Sequence, residues 1–332
     1  MSQVDHPTLE GLNGRGGLDE VEARLFHLAI GSRVDPAGTL VRDHLATGGK
    51  RMRAKLALAA AEAFHLDRRA VVGWAAACEM VHNATLVHDD IEDGDIVRRG
   101  RPTLWATCGM AQAINAGDLM LMLPFIALES LDCDDGLRWK LANAIARHAE
   151  RTARSQALEL DLLENRRFDA ASWNEAAEGK SGPLLALPVE GAAILARVAP
   201  ASAKRIAAAF SRIGALYQLH DDVLDCFGDK GRGQLGNDLR EGKVSALIVE
   251  HLRLHPDEHD QVVALLETPR NETSEDEVLA MIARFRDGGA LAAVEARIVA
   301  LEAEILNWPL LAAVPDVHAL AVTLVHAIRR AR

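Results

Sequence analysis

The sequence predicts an all-α protein, and three observations carry that reading. From Leu18 onward apolar residues recur at helical spacing. Ala and Leu dominate, and strand-forming aromatics make up only 4% of the chain. No Asn-Gly or Asp-Gly pair joins two alternating apolar runs; Asp93-Gly94 falls just past a helix. No low-complexity linker interrupts residues 18–332, so a single all-α domain is expected there, although 332 residues would allow two. Residues 1–17 carry Gly11, Gly14, Gly16 and Gly17 and read as a flexible N-terminal arm.

Helices are expected near 18–31, 36–46, 50–65, 68–91, 105–131, 136–165, 171–179, 180–197, 201–226, 240–253, 256–267, 273–286, 288–305 and 309–330. Pro36, Pro200, Pro256 and Pro309 stand where first turns begin, where a missing N–H costs nothing. Thr273-Ser274-Glu275-Asp276-Glu277 has the form of a capping sequence. Pro124, Pro183 and Pro188 fall inside apolar helical patterns and are expected to bend them.

The formal net charge of -11 argues against a nucleic-acid binder, which would show a basic face. It leaves room for a local basic pocket. Cys78, Cys108, Cys133 and Cys226 lack C-x-x-C spacing, so free thiols rather than structural zinc are expected. The polar start Met1–Pro7 has no signal-peptide core, and no run of 18 apolar residues occurs. A cytoplasmic protein without a transmembrane segment is the expectation.

Two stretches are near copies of each other. Leu86-Val87-His88-Asp89-Asp90-Ile91-Glu92-Asp93 and Gln218-Leu219-His220-Asp221-Asp222-Val223-Leu224-Asp225 both read His-Asp-Asp-x-x-Asp behind an apolar run. On a helix Asp89 and Asp93 share a face, with Asp90 at its flank; Asp221, Asp225 and Asp222 repeat the arrangement. Like charges on one face destabilise a helix unless a cation neutralises them. Neither cluster has a lysine or arginine one turn upstream. Carboxylates suit Mg²⁺, which is held by one or two of them together with substrate phosphate oxygens. A single motif would read as a solvated acidic helix end; the repeat favours a metal–diphosphate site.

Four further stretches carry charge or hydroxyl groups suited to an anion. Gly48-Gly49-Lys50-Arg51-Met52-Arg53 places cations at a helix start, where they oppose the dipole, and Lys50 and Arg53 share a face. Arg98-Arg99-Gly100-Arg101-Pro102-Thr103 offers guanidinium forks. Gly179-Lys180-Ser181 opens an apolar helix, and Gly236-Asn237-Asp238-Leu239-Arg240-Glu241-Gly242-Lys243 is a polar loop entering another.

In this order, over residues 48–243, these stretches resemble the trans-isoprenyl diphosphate synthases, the polyprenyl synthetase family. Gly117-Asp118 and the Tyr217–Asp229 run belong to the same ordered set. The resemblance implies an isoprenoid synthase-type helical bundle around a central apolar cavity, a homodimer, and condensation of an allylic diphosphate with isopentenyl diphosphate. It implies Mg²⁺, about three ions per loaded site, on Asp89, Asp90, Asp93, Asp221, Asp222 and Asp225, the last through water. It assigns Arg98, Lys180, Gln218 and Lys243 to the allylic diphosphate and the developing cation, and Lys50, Arg53, His82 and Arg99 to isopentenyl diphosphate.

The sequence departs from the family pattern where a Gly-Lys is usual: Gly233 stands in the lysine's place, with Arg232 one residue away. Lys-Thr is replaced by Lys180-Ser181, which keeps the hydroxyl. The C-terminal Arg329, Arg330 and Arg332 read as a solvated end, with closure over the site as the other reading. Chain growth is expected along the helix bearing Asp89, past Thr85 and Val81, with Ala84 beside them. A helical turn rises about 5.4 Å, close to one prenyl unit. An aromatic at 84 or 85 would stop growth early; Ala84, Thr85 and Val81 are small or medium, which gives a product of C20 or longer. A class I terpene cyclase and a non-catalytic partner subunit are the alternatives. A cyclase lacks the second diphosphate site that Lys50, Arg53 and Arg99 supply, and partner subunits usually lose an aspartate cluster.

Overall fold

The structure, a computed structural model, describes residues 17–32, 34–228 and 234–329. The chain forms two compact units. One holds the described residues up to Ala149 with Leu184–Ala208 and Val314–Leu320; the other holds Glu150–Pro183, Ala209–Ala313 and the described residues from Ala321.

The first unit begins with α1 (Leu18–Ile30), α2 (Pro36–Leu45) and α3 (Met52–Ala63). Asp35 caps α2, accepting from the Gly38 N–H at 2.9 Å, with Pro36 in the first turn. A 3₁₀ turn at Arg69–Val71 leads into α4 (Val72–Glu92). A two-stranded hairpin follows, β1 (Val97–Arg98) against β2 (Arg101–Pro102), with Arg98 opposite Arg101. Its turn residues Arg99 and Gly100 have φ of 54° and 71°. Left-handed conformation at both positions matches the twist of paired strands. The expected helix over 105–131 divides at Gly109 (φ 82°) into α5 (Leu104–Cys108) and α6 (Met110–Ala127).

Four helices contribute residues to both units: α7 (Asp135–Glu164), α8 (Ala170–Leu195), α9 (Pro200–Phe227) and, late in the chain, α16 (Pro315–Arg329). The helices expected at 171–179 and 180–197 are one, α8, which runs through Pro183 and Pro188. In the second unit the polar 236–245 stretch gives the short α10 (Asn237–Arg240), and Ser245 then caps α11 (Ala246–Leu254). Next come α12 (His259–Glu267), α13 (Glu275–Asp287), α14 (Ala290–Leu306) and α15 (Pro309–Ala312). Ser274 and Glu277 form the capping box of α13. The helix expected over 309–330 is broken at Pro315, which cannot continue a helix and instead starts α16 (Pro315–Arg329).

α4 is the axis of the first unit, packed by α1, α3 and α6. Trp74, Met80 and Val81 from α4 are buried with Leu25, Leu45 and Met120. The Trp74 indole N–H donates to the Pro188 carbonyl at 3.1 Å. α8 can lie against that indole because residue 191 is glycine: a Cβ there would stand 2.0 Å from the ring. The second unit has its own core around Phe210, Leu247, Phe285, Val294 and Ile305. The four cysteines are free; Cys78 and Cys226 are buried and Cys108 and Cys133 partly so.

Two segments are long and apolar enough to cross a membrane by length and composition alone, as core helices of soluble proteins also are: Arg69–Glu92, 72% buried over its apolar window, and Met110–Ser130, 44% buried. Helical packing accounts for most of the first; the second keeps an exposed apolar side.

The Gly191–Trp74 contact gives a stability prediction. Gly191→Ala is expected to cost about 1–3 kcal/mol through overpacking, read as a lowered urea midpoint with an unchanged slope.

Candidate functional site

The two aspartate clusters occupy equivalent places on their helices. Asp89, Asp90 and Asp93 close α4, Asp93 being its C-cap; Asp221, Asp222 and Asp225 lie in the last two turns of α9. Neither helix has a basic residue in its last turn. A helix C-terminus carries partial negative charge, so carboxylates there are destabilising where a lysine or arginine would stabilise. On each helix, three hard oxygen-donor side chains set against the dipole suit a divalent cation.

Asp90 is 2% exposed and accepts from Arg98 Nε at 2.6 Å. Burial pushes its carboxyl up to about 6, against the pull of Arg98 and with a further push from Asp95 and Asp93. Asp89 and Asp93 are half-buried. Among the described residues no three acidic, histidine or cysteine side chains stand close enough to enclose a metal ion alone.

The hairpin divides two adjacent arginines. Arg98, ending β1, turns to Asp90; Arg99, in the turn, donates through Nη1 to the Gly48 carbonyl. Gly49 makes this approach possible. It has φ of 130°, and a Cβ there would stand 2.7 Å from the Arg99 guanidinium carbon and both terminal nitrogens. Lys50, the next residue, is exposed, and Arg53 is half-buried.

His82 lies two turns before Asp89 on α4. Burial, then the charges of Arg53, Arg99 and Arg98, holds it well below the usual histidine range. Its Nδ1 is buried and has no hydrogen-bond partner. Arg53 and Arg99 thus both lie within electrostatic reach of His82. Val81 and Ala84 are closed into the core, and Thr85 is part-exposed, its hydroxyl donating to the His82 carbonyl at 2.8 Å.

In the second unit Asp222 is 2% exposed and fully engaged: Oδ1 accepts from Gln218 Nε2 at 2.9 Å and Oδ2 from the Ala246 N–H at 2.6 Å. Asp225 Oδ2 accepts the Asp238 N–H at 3.0 Å. The two carboxylates thereby hold the first turns of α11 and α10, where free N–H groups favour an anion. Asp221 stays half-buried. Lys180 Nζ is 2.5 Å from Glu159, and Lys243 Nζ is 2.8 Å from Glu241. Arg329 is exposed, as a solvated end would be, and its guanidinium also pairs with the buried Glu302. Arg232, Gly233, Arg330 and Arg332 lie outside the described residues, as do residues 1–16 of the expected arm.

Sequence reasoning missed a buried polar network beneath the basic turn. Arg51 pairs with Glu22 at 2.6 Å and stands 4.0 Å from Glu79. Glu79 accepts the Ala54 N–H at 3.1 Å, Asn83 donates to the Glu79 carbonyl at 2.8 Å, and Asn83 Oδ1 is 3.1 Å from His44 Nε2. The available signal was Glu79 and Asn83 four residues apart within an apolar helix.

An all-α fold with an aspartate triplet at the C-terminal end of each of two helices, and a separate basic turn, defines the isoprenoid synthase class. The chain belongs to the polyprenyl synthetase family, whose sequence pattern matches residues 38–284. It is a prenyltransferase of the isoprenyl diphosphate synthase type, and magnesium dependence is general in that family. It is 32% identical over 235 residues to the short chain isoprenyl diphosphate synthase of Methanocaldococcus jannaschii, covering 70% of this chain and 71% of that one. It is 32% identical to the geranylgeranyl diphosphate synthase of Methanosarcina mazei over 69% of this chain and 71% of that one. Its fold matches the crystal structure of a polyprenyl synthase from Caulobacter crescentus complexed with calcium and isoprenyl diphosphate. The TM-score is 0.82 at 24% identity, over 98% of both chains.

His44 gives a pH prediction. Burial, then the charge of Arg99, lowers it from 6.5 to about 4. Between those values the unfolded chain binds a proton that the folded chain refuses, so stability falls as pH drops through 6.5. Asp90, raised in the fold, works in the opposite direction. The His44→Gln variant isolates the histidine: its stability loss between pH 7 and pH 5 is expected to be about 2 kcal/mol smaller than that of wild type. Equal losses in urea unfolding at the two pH values would refute the assignment.

Proposed function

We propose that the chain condenses an allylic diphosphate with isopentenyl diphosphate, giving a trans-polyprenyl diphosphate of C20 or longer. One observation carries the reading: α4 and α9 both end, against their own dipoles, in aspartate triplets with no basic residue in the last turn. Asp89, Asp90, Asp93, Asp221, Asp222 and Asp225 would hold magnesium, about three ions with substrate bound, Asp225 through water. Bound magnesium would neutralise charge on the departing diphosphate.

Arg98, Lys180, Gln218 and Lys243 bind the allylic diphosphate. Glu159 and Glu241 hold the two ammonium groups in position before an anion arrives. Lys50, Arg53, His82 and Arg99 bind isopentenyl diphosphate, with His82 neutral and acting through hydrogen bonds. The allylic C–O bond breaks, with the electron pair leaving on diphosphate. The double bond of isopentenyl diphosphate then attacks C1, and a proton passes to the released diphosphate. Exclusion of water protects the cation. Residues 18–332 act as one catalytic domain, in a homodimer. The exposed Met110, Ile114, Met122, Phe125 and Ile126 of α6 are apolar surface that a second subunit would cover.

The purified protein, given Mg²⁺, isopentenyl diphosphate and each allylic primer, is expected to yield linear products of at least C20. A cyclised hydrocarbon would favour a terpene cyclase, and no turnover a non-catalytic subunit. Asp89→Ala and Asp221→Ala are each expected to cut turnover by orders of magnitude with the circular dichroism spectrum unchanged. Arg53→Ala should raise KM for isopentenyl diphosphate far more than for the primer, and Lys180→Ala should mainly harm the allylic side. Because Ala84 is closed into the core, Thr85→Phe is the sharper probe of chain growth; it is expected to shorten the product by at least one unit.

A further inference from the structure

Arg51 stands between two residues of the basic turn but cannot reach a substrate itself, being 5% exposed. Its backbone is left-handed, φ 49°, which for a non-glycine residue costs free energy and persists only when the surroundings enforce it. They do so through the guanidinium. Nε donates to Glu22 Oε1 at 2.6 Å, Nη2 to the Leu45 carbonyl at 2.7 Å and to Glu22 Oε2 at 3.3 Å, and Nη1 to the Gly48 carbonyl at 3.3 Å. The Leu45 carbonyl lies at the C-terminus of α2, where a cation is favoured. The Gly48 carbonyl is the same oxygen that receives Arg99 Nη1. One backbone oxygen thus joins a buried arginine to a guanidinium of the candidate isopentenyl diphosphate site.

We infer that Arg51, held by Glu22 of α1, is a positioning residue for that site: it fixes the Gly48-Gly49 turn and through it the placement of Lys50, Arg53 and Arg99. The inference rests on the reading of those residues as the isopentenyl diphosphate site. Glu22 lies outside residues 38–284, the span matched by the family, so the N-terminal helix has a part in substrate binding that the shared motifs do not contain. Glu22 and Glu79 offset the charge of Arg51 from below.

The test uses the full chain with Glu22→Gln and Arg51→Lys. Glu22 is the safer site, its side chain being 33% exposed, so it carries the experiment if Arg51→Lys does not fold. Glu22→Gln is expected to raise KM for isopentenyl diphosphate about ten-fold, worth about 1.4 kcal/mol, with kcat and the KM of the allylic primer changed less than about two-fold. In an Arg99→Ala background the same substitution should add less than about two-fold, because the chain of contacts to Arg99 is already cut. Arg51→Lys keeps the charge but loses the fork, so it should repeat the Glu22→Gln pattern. Three results overturn the proposal alone: an unchanged KM in Glu22→Gln while Arg99→Ala raises it; equal losses on both substrates with a lowered thermal midpoint, as a merely structural role would give; or full additivity with Arg99→Ala. An unchanged KM for isopentenyl diphosphate in both Arg99→Ala and Arg53→Ala overturns the site reading, and the positioning role with it.

Discussion

Negative charge at the C-terminal ends of helices is the constraint on which this molecule is built. A helix tolerates carboxylates at its N-terminus and resists them at its C-terminus. α4 and α9 both end in three aspartates. The fold relieves part of the cost without removing the site. Arg98 answers Asp90, and Asp222 and Asp225 are turned to the N–H groups that open α11 and α10. Those backbone groups need acceptors in any case. The same carboxylates thus order the 236–246 segment that carries Lys243.

The opposite charge is handled in the opposite way. Arg51, Arg53, Arg98 and Arg99 lie in one region, and burial, then the charge of neighbouring guanidiniums, keeps His82 and His44 neutral. Arg51 is matched by Glu22 and the nearby Glu79, and of the four it is the one that is buried. Burying an arginine with its partners and leaving its neighbours at the surface gives a rigid base with reactive cations above it.

The sequence made the long elements legible where physics is local. Prolines in first turns and the Ser274–Glu277 capping box located helix starts within a few residues, and α7 and α9 emerged nearly as expected. The aspartate triplets were legible because repeated like charge in an apolar helix has few structural uses. The hairpin was missed because its left-handed turn is Arg99-Gly100, whereas the usual signal is Asn or Asp before glycine. α8 was divided in two because Gly179-Lys180-Ser181 read as the opening of a helix, whereas the helix runs straight through it. Glu22 left no trace, since its partner is 29 residues away and nothing local distinguishes it from a surface glutamate.

The hairpin between Val97 and Pro102 also limits how this family member can change in length. Arg98 and Arg99 are neighbours in the chain, yet one serves Asp90 and the other Gly48, because one ends a strand and the next begins a turn. Strand register alternates the side on which each residue projects. Inserting or deleting one residue here would send each arginine to the other's address while leaving composition and charge intact. Loops usually absorb length variation freely; this one, at two residues, has no slack to absorb it.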